Sequence, residues 1–237
     1  MKVRLYEIFT SVEGEGILYG TKTLFVRLAG CPFKCFYCDT KEALPMTSGK
    51  EYSIDEAKNL IENSLAKNTY KVNFTGGDPL VQSEALYELA KFVQQKNIPT
   101  YLESSCFDST KFAQVLPHFD YIKIEFKTID SEFVDEDHYS KLLENELQCL
   151  NLAANSGKVT YIKIVVSSRT KIEQFKQLLD SIFSITSKSK VAGFIIQPTY
   201  GMAEPDLRQL LEFYDAVYTY YEEVRIVPQL HKFIGAP

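Results

Sequence analysis

The chain has 237 residues, 45% of them hydrophobic, which is enough to bury a full core within the size range of one α/β or barrel domain. Its formal net charge of -5 comes without any block of like charge, which argues against the basic footprint of a nucleic-acid binder and favours a small metabolite as partner. No apolar run is long enough to cross a bilayer, and residues 1–9 lack the apolar core of a secretory signal. A cytoplasmic protein is expected, its five cysteines serving as ligands or free thiols.

Leu24 to Ala29 reads as a strand, and the polar, turn-rich stretch from Lys41 to Tyr52 as a surface loop. Ser53 with Glu56 forms a capping-box pattern, opening a helix on which Ile54, Ala57, Leu60, Ile61 and Leu65 share a face. Tyr70 to Thr75 is a second strand, ending at Gly76-Gly77. Ser83 opens a helix carrying Leu86, Leu89, Ala90 and Val93. Pro99 to Glu103 and Tyr121 to Phe126 read as strands with a short helix from Ser109 between them, and the acidic segment Asp130 to Asp137 as a solvated loop. Val159 to Val166 is a β-branched strand; Thr170 with Glu173 caps a helix bearing Phe175, Leu178, Leu179 and Ile182. Val191 to Gln197 is a further strand, a helix begins at Pro205 with Leu207, Leu210, Leu211, Tyr214 and Val217 behind it, and Arg225 to Val227 closes the pattern. This alternation predicts an α/β fold over a single domain, residues 1–237, with a parallel sheet closed or partly closed into a barrel. Ligands of such sheets bind at the carboxyl ends of strands. The loop after Ala29, Thr75 to Asp78, Glu103, Lys127 and Gln197 should therefore meet at one mouth.

The first of those loops carries Cys31, Cys35 and Cys38, a CxxxCxxC run with Tyr37 before the last cysteine. A zinc knuckle needs a fourth ligand nearby, and the next cysteine and histidine are Cys106 and His118. Three thiolates on an iron-sulfur cluster leave one iron open to another ligand. The motif resembles that of the radical S-adenosylmethionine (radical SAM) superfamily, in which the open iron of a 4Fe-4S cluster chelates S-adenosylmethionine. The flanks, residues 7–16, Phe25 to Cys31, Cys38-Asp39-Thr40 and the ending Pro228 to Pro237, resemble the 7-carboxy-7-deazaguanine synthase family along the whole chain.

That resemblance implies an incomplete parallel β/α barrel and a radical ring contraction. In that reaction 6-carboxy-5,6,7,8-tetrahydropterin becomes 7-carboxy-7-deazaguanine with release of ammonia, in queuosine and 7-deazapurine biosynthesis. It further implies Mg²⁺, a reductant such as flavodoxin, and a homodimer. By the same resemblance Cys31, Cys35 and Cys38 hold the cluster, while Thr75, Gly76, Gly77, Asp78, Glu103, Ser105, Lys127 and Gln197 contact S-adenosylmethionine. Asp78 stands where the family has Glu, and Glu125-Phe126-Lys127 where it tends to have Ser-Pro-Lys. A pterin offers a guanidine-like edge that wants carboxylates and a carboxylate that wants a guanidinium. Glu15 with Gly16 suits the first and Arg27 the second, with Glu13 in place of the family's glutamine. His231 and the terminal Pro237 match a tail that folds over the substrate, and Thr40, with Asp39 behind it, is the implied Mg²⁺ ligand. The competing readings are a radical SAM activase acting on a glycine of a partner protein, and a non-enzymatic iron-sulfur electron carrier.

Overall fold

The computed structural model describes residues 1–131 and 136–236, without the side chains of 136 and 137. In chain order the elements are β1 (Lys2–Val12), β2 (Lys22–Leu28), β3 (Lys50–Ser53), α1 (Ile54–Ser64), β4 (Lys71–Gly76), α2 (Ser83–Gln95), β5 (Thr100–Ser104) and α3 (Ser109–Val115). There follow β6 (Tyr121–Phe126), α4 (Glu136–Ala154), β7 (Val159–Val166), α5 (Ile172–Ile185), β8 (Phe194–Pro198), α6 (Leu207–Tyr218), β9 (Val224–Ile226) and α7 (Leu230–Ile234). One sheet has the order β3-β1-β2-β4-β5-β6-β7-β8-β9. It is parallel from β2 through β9, and β1 runs antiparallel between β2 and β3. The curled sheet leaves β3 and β9 unjoined, so this is the incomplete barrel.

Both faces of the parallel strands are buried, for opposite reasons. Leu24, Val26 and Leu28 on β2, Phe74 on β4, Ile122 and Ile124 on β6, and Ile162 and Ile164 on β7 point outward. There they join α1, α2, α4 and α5 in a continuous apolar core. The alternate positions face the barrel interior and are largely polar: Lys71 and Asn73, Glu103, Lys123 and Glu125, Lys163, Gln197. A small second cluster of Tyr101, Tyr161 and Ile195, with Ile17 and Val227 against it, plugs the barrel below them.

Local signals explain most element boundaries. The Ser53–Glu56 capping box forms with both its bonds, and α6 starts two residues past Pro205, on a capping box between Asp206 and Gln209. Thr170 does not cap α5, contrary to the sequence pattern. Its hydroxyl donates to Asp130 at 3.0 Å and accepts from the Ser167 amide at 2.9 Å, leaving Lys171 at the N-cap without a side-chain bond. Strand β8 begins at Phe194, three residues later than Val191; just before it Gly193 packs against Ile17 of the incoming loop, where a Cβ would sit 2.7 Å from that side chain. The buried face of α6 is Phe213, Ala216 and Val217, whereas Leu207 and Leu211 are exposed.

The expected loop at residues 41–52 contains β3, which pairs with β1 from Lys2↔Ser53 to Leu5↔Lys50. Of the expected acidic loop, Asp130 to Asp137, only the two ends are described. Asp130 is bound by Ser167 and Thr170, α4 has begun by Glu136, and residues 132–135 lie outside the described residues. No helix among the described residues is long and apolar enough to cross a membrane.

Candidate active site

A cavity of about 460 Å³ opens at the carboxyl ends of the parallel strands. Its first wall is the loop after β2. The Gly30 amide donates to the Ala43 carbonyl at 2.9 Å and that of Cys31 to Leu44 at 3.0 Å, pinching the two ends of the loop together. The Cys38 amide closes a turn on the Cys35 carbonyl at 3.1 Å, and all three thiols line the cavity. Burial, with the nearby Asp78 charge, pushes the Cys31 thiol up to about 12, and burial also raises Cys35 and Cys38. Such thiols remain protonated at neutral pH and ionise when a metal takes them. Soft sulfur donors gathered on one loop fit an iron-sulfur cluster with an open iron. Cys106 and Cys149 take no part. They are buried elsewhere, with Cys149 Sγ 3.7 Å from the Cys106 carbonyl.

The second wall is the end of β4. Gly76 has φ +134°, and a Cβ there would sit 2.5 Å from the Leu28 nitrogen; one on Gly77 would overlap the Gly30 carbonyl. The Gly77 amide donates to Leu28 at 2.9 Å and the Asp78 amide to Gly30 at 2.7 Å, so the glycines let β4 lie directly on the root of the cysteine loop. Asp78 is buried and turned away from any ligand role for its carboxylate. Oδ1 accepts from the Leu80 amide at 3.0 Å and the Ser104 hydroxyl at 2.9 Å; Oδ2 accepts from the Ser105 amide at 2.8 Å and hydroxyl at 2.5 Å. Burial raises its pKa while these donors hold it down.

The inner wall is a network of buried ions. Lys163 Nζ meets Glu15 at 2.6 Å, Glu125 at 2.9 Å and the Gln197 side-chain oxygen at 3.3 Å. Lys123 lies 3.0 Å from Glu125 and 3.6 Å from Glu103, and Lys127 pairs with Glu125 and stands over the Tyr37 ring. Burial opposes the charge on Glu125, but Lys127, Lys163 and Lys123 outweigh it and hold its pKa well below the usual carboxylate range. For Lys123, burial is likewise outweighed, by Glu103, Glu125 and Glu15, and its pKa rises well above the usual lysine value. Glu103 also accepts from Thr75 at 3.1 Å.

The remaining wall comes from outside the strand-helix repeat. The loop from Glu13 to Thr21 turns into the barrel, where Glu15 accepts from Gln197 at 3.1 Å and from Gln229 at 2.8 Å. The tail packs on this loop. The Leu230 amide donates to the Gly14 carbonyl at 2.9 Å, and His231 lies so close that a Cβ on Gly14 would strike its ring. Asp39 accepts from Thr40 at 3.0 Å and from Gln229 at 3.2 Å, and pairs with His231 at 3.3 Å and Lys232 at 3.7 Å. Burial works against this carboxylate, yet His231 and Lys232 hold its pKa far below the usual value. Ligand atoms of Glu15, Asp39 and His231 all lie within 4.8 Å of one another, each engaged in the bonds described. At the rim, Arg27 donates to Glu7 at 2.6 Å and stacks over Phe9.

The structure thus brings Cys31, Cys35, Cys38, Thr40, Thr75, Gly76, Gly77, Asp78, Glu103, Ser105, Lys127, Gln197, Glu13, Glu15, Arg27 and His231 to one cavity. Gly16 stands behind it, at φ +69° against the Tyr161 hydroxyl, and Pro237 lies outside the described residues. Lys71, Lys123, Glu125, Lys163 and Gln229 escaped the sequence reading. The first four were visible in principle, as charges at every second position of otherwise apolar strands.

The family model of the radical SAM superfamily matches residues 26–182. The chain is 30% identical to the 7-carboxy-7-deazaguanine synthase of Methanocaldococcus jannaschii, covering 97% of this chain and 98% of that protein. It is 29% identical to the enzyme of the same name from Archaeoglobus fulgidus, over 99% of both chains. Among solved structures, QueE from Escherichia coli superposes with a TM-score of 0.68 at 18% identity, covering 98% of this chain and 95% of that one, a likeness of fold.

Two substitutions test this geometry. Gly76→Ala should destabilise the protein by roughly 3 kcal/mol, since it combines overpacking against backbone with a disallowed φ; urea unfolding reads the loss, and the iron bound after reconstitution should fall with it. Lys163→Met should cost roughly 3 kcal/mol, because it takes the paired cation from Glu15 in a buried site, whereas Glu125 keeps Lys123 and Lys127. A urea midpoint equal to that of the unmutated protein would show that the network carries no such strain.

Proposed function

The chain belongs to the radical SAM superfamily and, within it, to the 7-carboxy-7-deazaguanine synthase family, and we propose that it converts 6-carboxy-5,6,7,8-tetrahydropterin to 7-carboxy-7-deazaguanine with release of ammonia. Membership of the superfamily implies a 4Fe-4S cluster and S-adenosylmethionine. The observation that carries the reading is a cavity with thiols and closely packed glycines on one side and a paired acid-base set, Glu13, Glu15, Arg27 and His231, on the other.

Cys31, Cys35 and Cys38 would hold the cluster and leave one iron for the amino and carboxylate groups of S-adenosylmethionine. Bound there and supplied with one electron by a reductant, the pair would provide the radical chemistry for hydrogen abstraction from the substrate. Because the Asp78 carboxylate is occupied by internal donors, contact with the cofactor's amino group falls to the backbone oxygens of Gly76 and Gly77, with Thr75, Glu103 and Ser105 beside them. Lys127 and Gln197 complete that side. Glu13 and Glu15 accept from the guanidine-like edge of the pterin, and Arg27 turns from Glu7 to the substrate carboxylate. His231 covers the substrate from the tail. The Thr40 hydroxyl, which donates to Asp39 at 3.0 Å, keeps an oxygen lone pair for Mg²⁺. A flavodoxin-like reductant, a homodimer, a cytoplasmic location and a place in queuosine or 7-deazapurine biosynthesis belong to the same reading and rest on the family likeness.

The test is anaerobic turnover of the reconstituted protein with the pterin, S-adenosylmethionine, dithionite and Mg²⁺, followed by mass spectrometry. 7-Carboxy-7-deazaguanine should form and should fall below detection in Cys35→Ala. Formation of 5′-deoxyadenosine without the deazaguanine would keep the radical chemistry and reject the substrate.

A further inference from the structure

Lys71 is the first residue of β4, wholly buried and set behind the lining of the cavity. Its Nζ donates to Glu13 Oε2 at 2.5 Å and to the Thr23 hydroxyl at 2.8 Å, and lies over the Tyr101 ring at 4.7 Å and the Phe25 ring at 5.9 Å. Glu13 itself lines the cavity, and its other donor, the Asn73 amide at 3.2 Å, also falls on Oε2. Above the pair, acceptors outnumber donors. Asn73 Oδ1 and Glu103 Oε1 are buried without a hydrogen bond; that Oε1 faces Lys123 at 3.6 Å, while Oε2 accepts from Thr75 at 3.1 Å. Buried polar atoms left in this way call for a donor from a ligand.

We propose that Lys71 is a positioning residue. It holds Glu13 as an ionised acceptor at the inner end of the cavity, so that this chain selects a heterocycle whose inward edge carries adjacent N–H donors. The proposal rests on the pterin reading above and specifies which group enforces it. Among the described residues, the groups facing Glu13 are Lys71 and Asn73 on β4, Glu103 and Tyr101 on β5, Tyr161 on β7 and Glu15 on its own loop, with Thr23 of β2 bound to Lys71 behind them. Burial, then the charge of Glu103, raises the Glu13 carboxyl to about 7, and Lys71 is the cation that keeps it from rising further. Removing that cation raises the pKa again, so the ionised fraction at a given pH falls and binding moves to higher pH.

The experiment compares the reconstituted wild type, Lys71→Met, Glu13→Gln and the double variant by anaerobic equilibrium dialysis from pH 6 to 9. The ligands are 6-carboxytetrahydropterin and its counterpart with a carbonyl in place of the 2-amino group. The wild type should prefer the amino ligand by about 100-fold or more, since the counterpart sets a carbonyl against Glu13. Lys71→Met should lose about 10-fold in affinity near pH 7, with the acid limb of binding shifted up by about one unit. The double variant, whose amide needs no cation, should recover to within a few-fold of wild type, without pH dependence and with weaker discrimination. Affinity and pH profile unchanged in Lys71→Met, or a double variant no better than Lys71→Met, would overturn the proposal. Infrared difference spectra read the Glu13 carboxyl without any ligand, the band being absent in Glu13→Gln. Should the wild type bind neither ligand, the pterin reading fails; a carboxyl midpoint that does not rise in Lys71→Met overturns the role of Lys71 regardless of ligand.

Discussion

Charge placed inside a barrel has to be neutralised where it stands, and much of this architecture follows from that constraint. Lys71, Lys123, Lys127 and Lys163 project from β4, β6 and β7, or from just beyond β6, into an interior cut off from water, and each ends on a carboxylate. Only Glu103 and Glu125 among those carboxylates come from the parallel strands; Glu13 and Glu15 must be brought in. The loop from Glu13 to Thr21 therefore dips into the barrel instead of crossing its outside, and once Glu15 is there Gln229 can follow and dock the tail. Paired buried ions gain little over apolar packing of the same volume. A core built for stability alone would have filled these positions as the outer face is filled, with leucine and isoleucine. Their presence marks the interior as a place prepared for a polar guest.

A second constraint is backbone proximity. The cysteine loop can present its thiols to the cavity only if its root is fixed, and the root is fixed by the Gly77 and Asp78 amides on Leu28 and Gly30. The glycines permit this approach, and the Asp78 carboxylate then ties the same corner to β5 through Ser104 and Ser105. One acid thus joins the ends of β2, β4 and β5 into a rigid seat. A shorter side chain suits this inward use: Asp at this position reaches the neighbouring hydroxyls and amides of its own fold.

Much of this was legible in the sequence because it depends on local pattern. The parallel strands and most helices follow from apolar periodicity, and the convergence of the cysteines, Thr75 to Asp78, Glu103, Lys127 and Gln197 from the rule that loops after parallel strands share a mouth. What was missed depends on partners distant in sequence. β1 carries charged and polar residues along its length and becomes a strand by pairing with β2 and β3. The stripe of α4 is interrupted by Glu146, buried because its carboxylate accepts the Lys127 amide at 3.1 Å. Thr170 carries a sound capping pattern and is diverted by Asp130, forty residues away. Lys71, Lys123 and Lys163 were not singled out, since a single charge on a strand does not show which carboxylate, distant in sequence, will meet it.

The rim differs from the interior in a way that bears on how a ligand could enter. The Glu7–Arg27 pair is brought into register by an irregularity of β1 between Leu5 and Glu7, and Phe9, stacked on Phe25 at 5.1 Å, lies under the guanidinium. The carboxylate half of this pair is more than one-third exposed, so breaking it costs little beyond the surface range, about 1 kcal/mol or less. The Phe9 ring continues to hold the guanidinium plane while its partner changes. Exchange of Glu7 for an incoming carboxylate then swaps one anion for another on a pre-oriented fork. The pairs beneath it, Lys71 with Glu13 and Lys163 with Glu15, are far more buried and would not part so cheaply. A ligand arriving at this mouth would meet a soft outer contact first and a fixed set of acceptors last, which favours recognition of its carboxylate on entry and of its N–H edge at full depth.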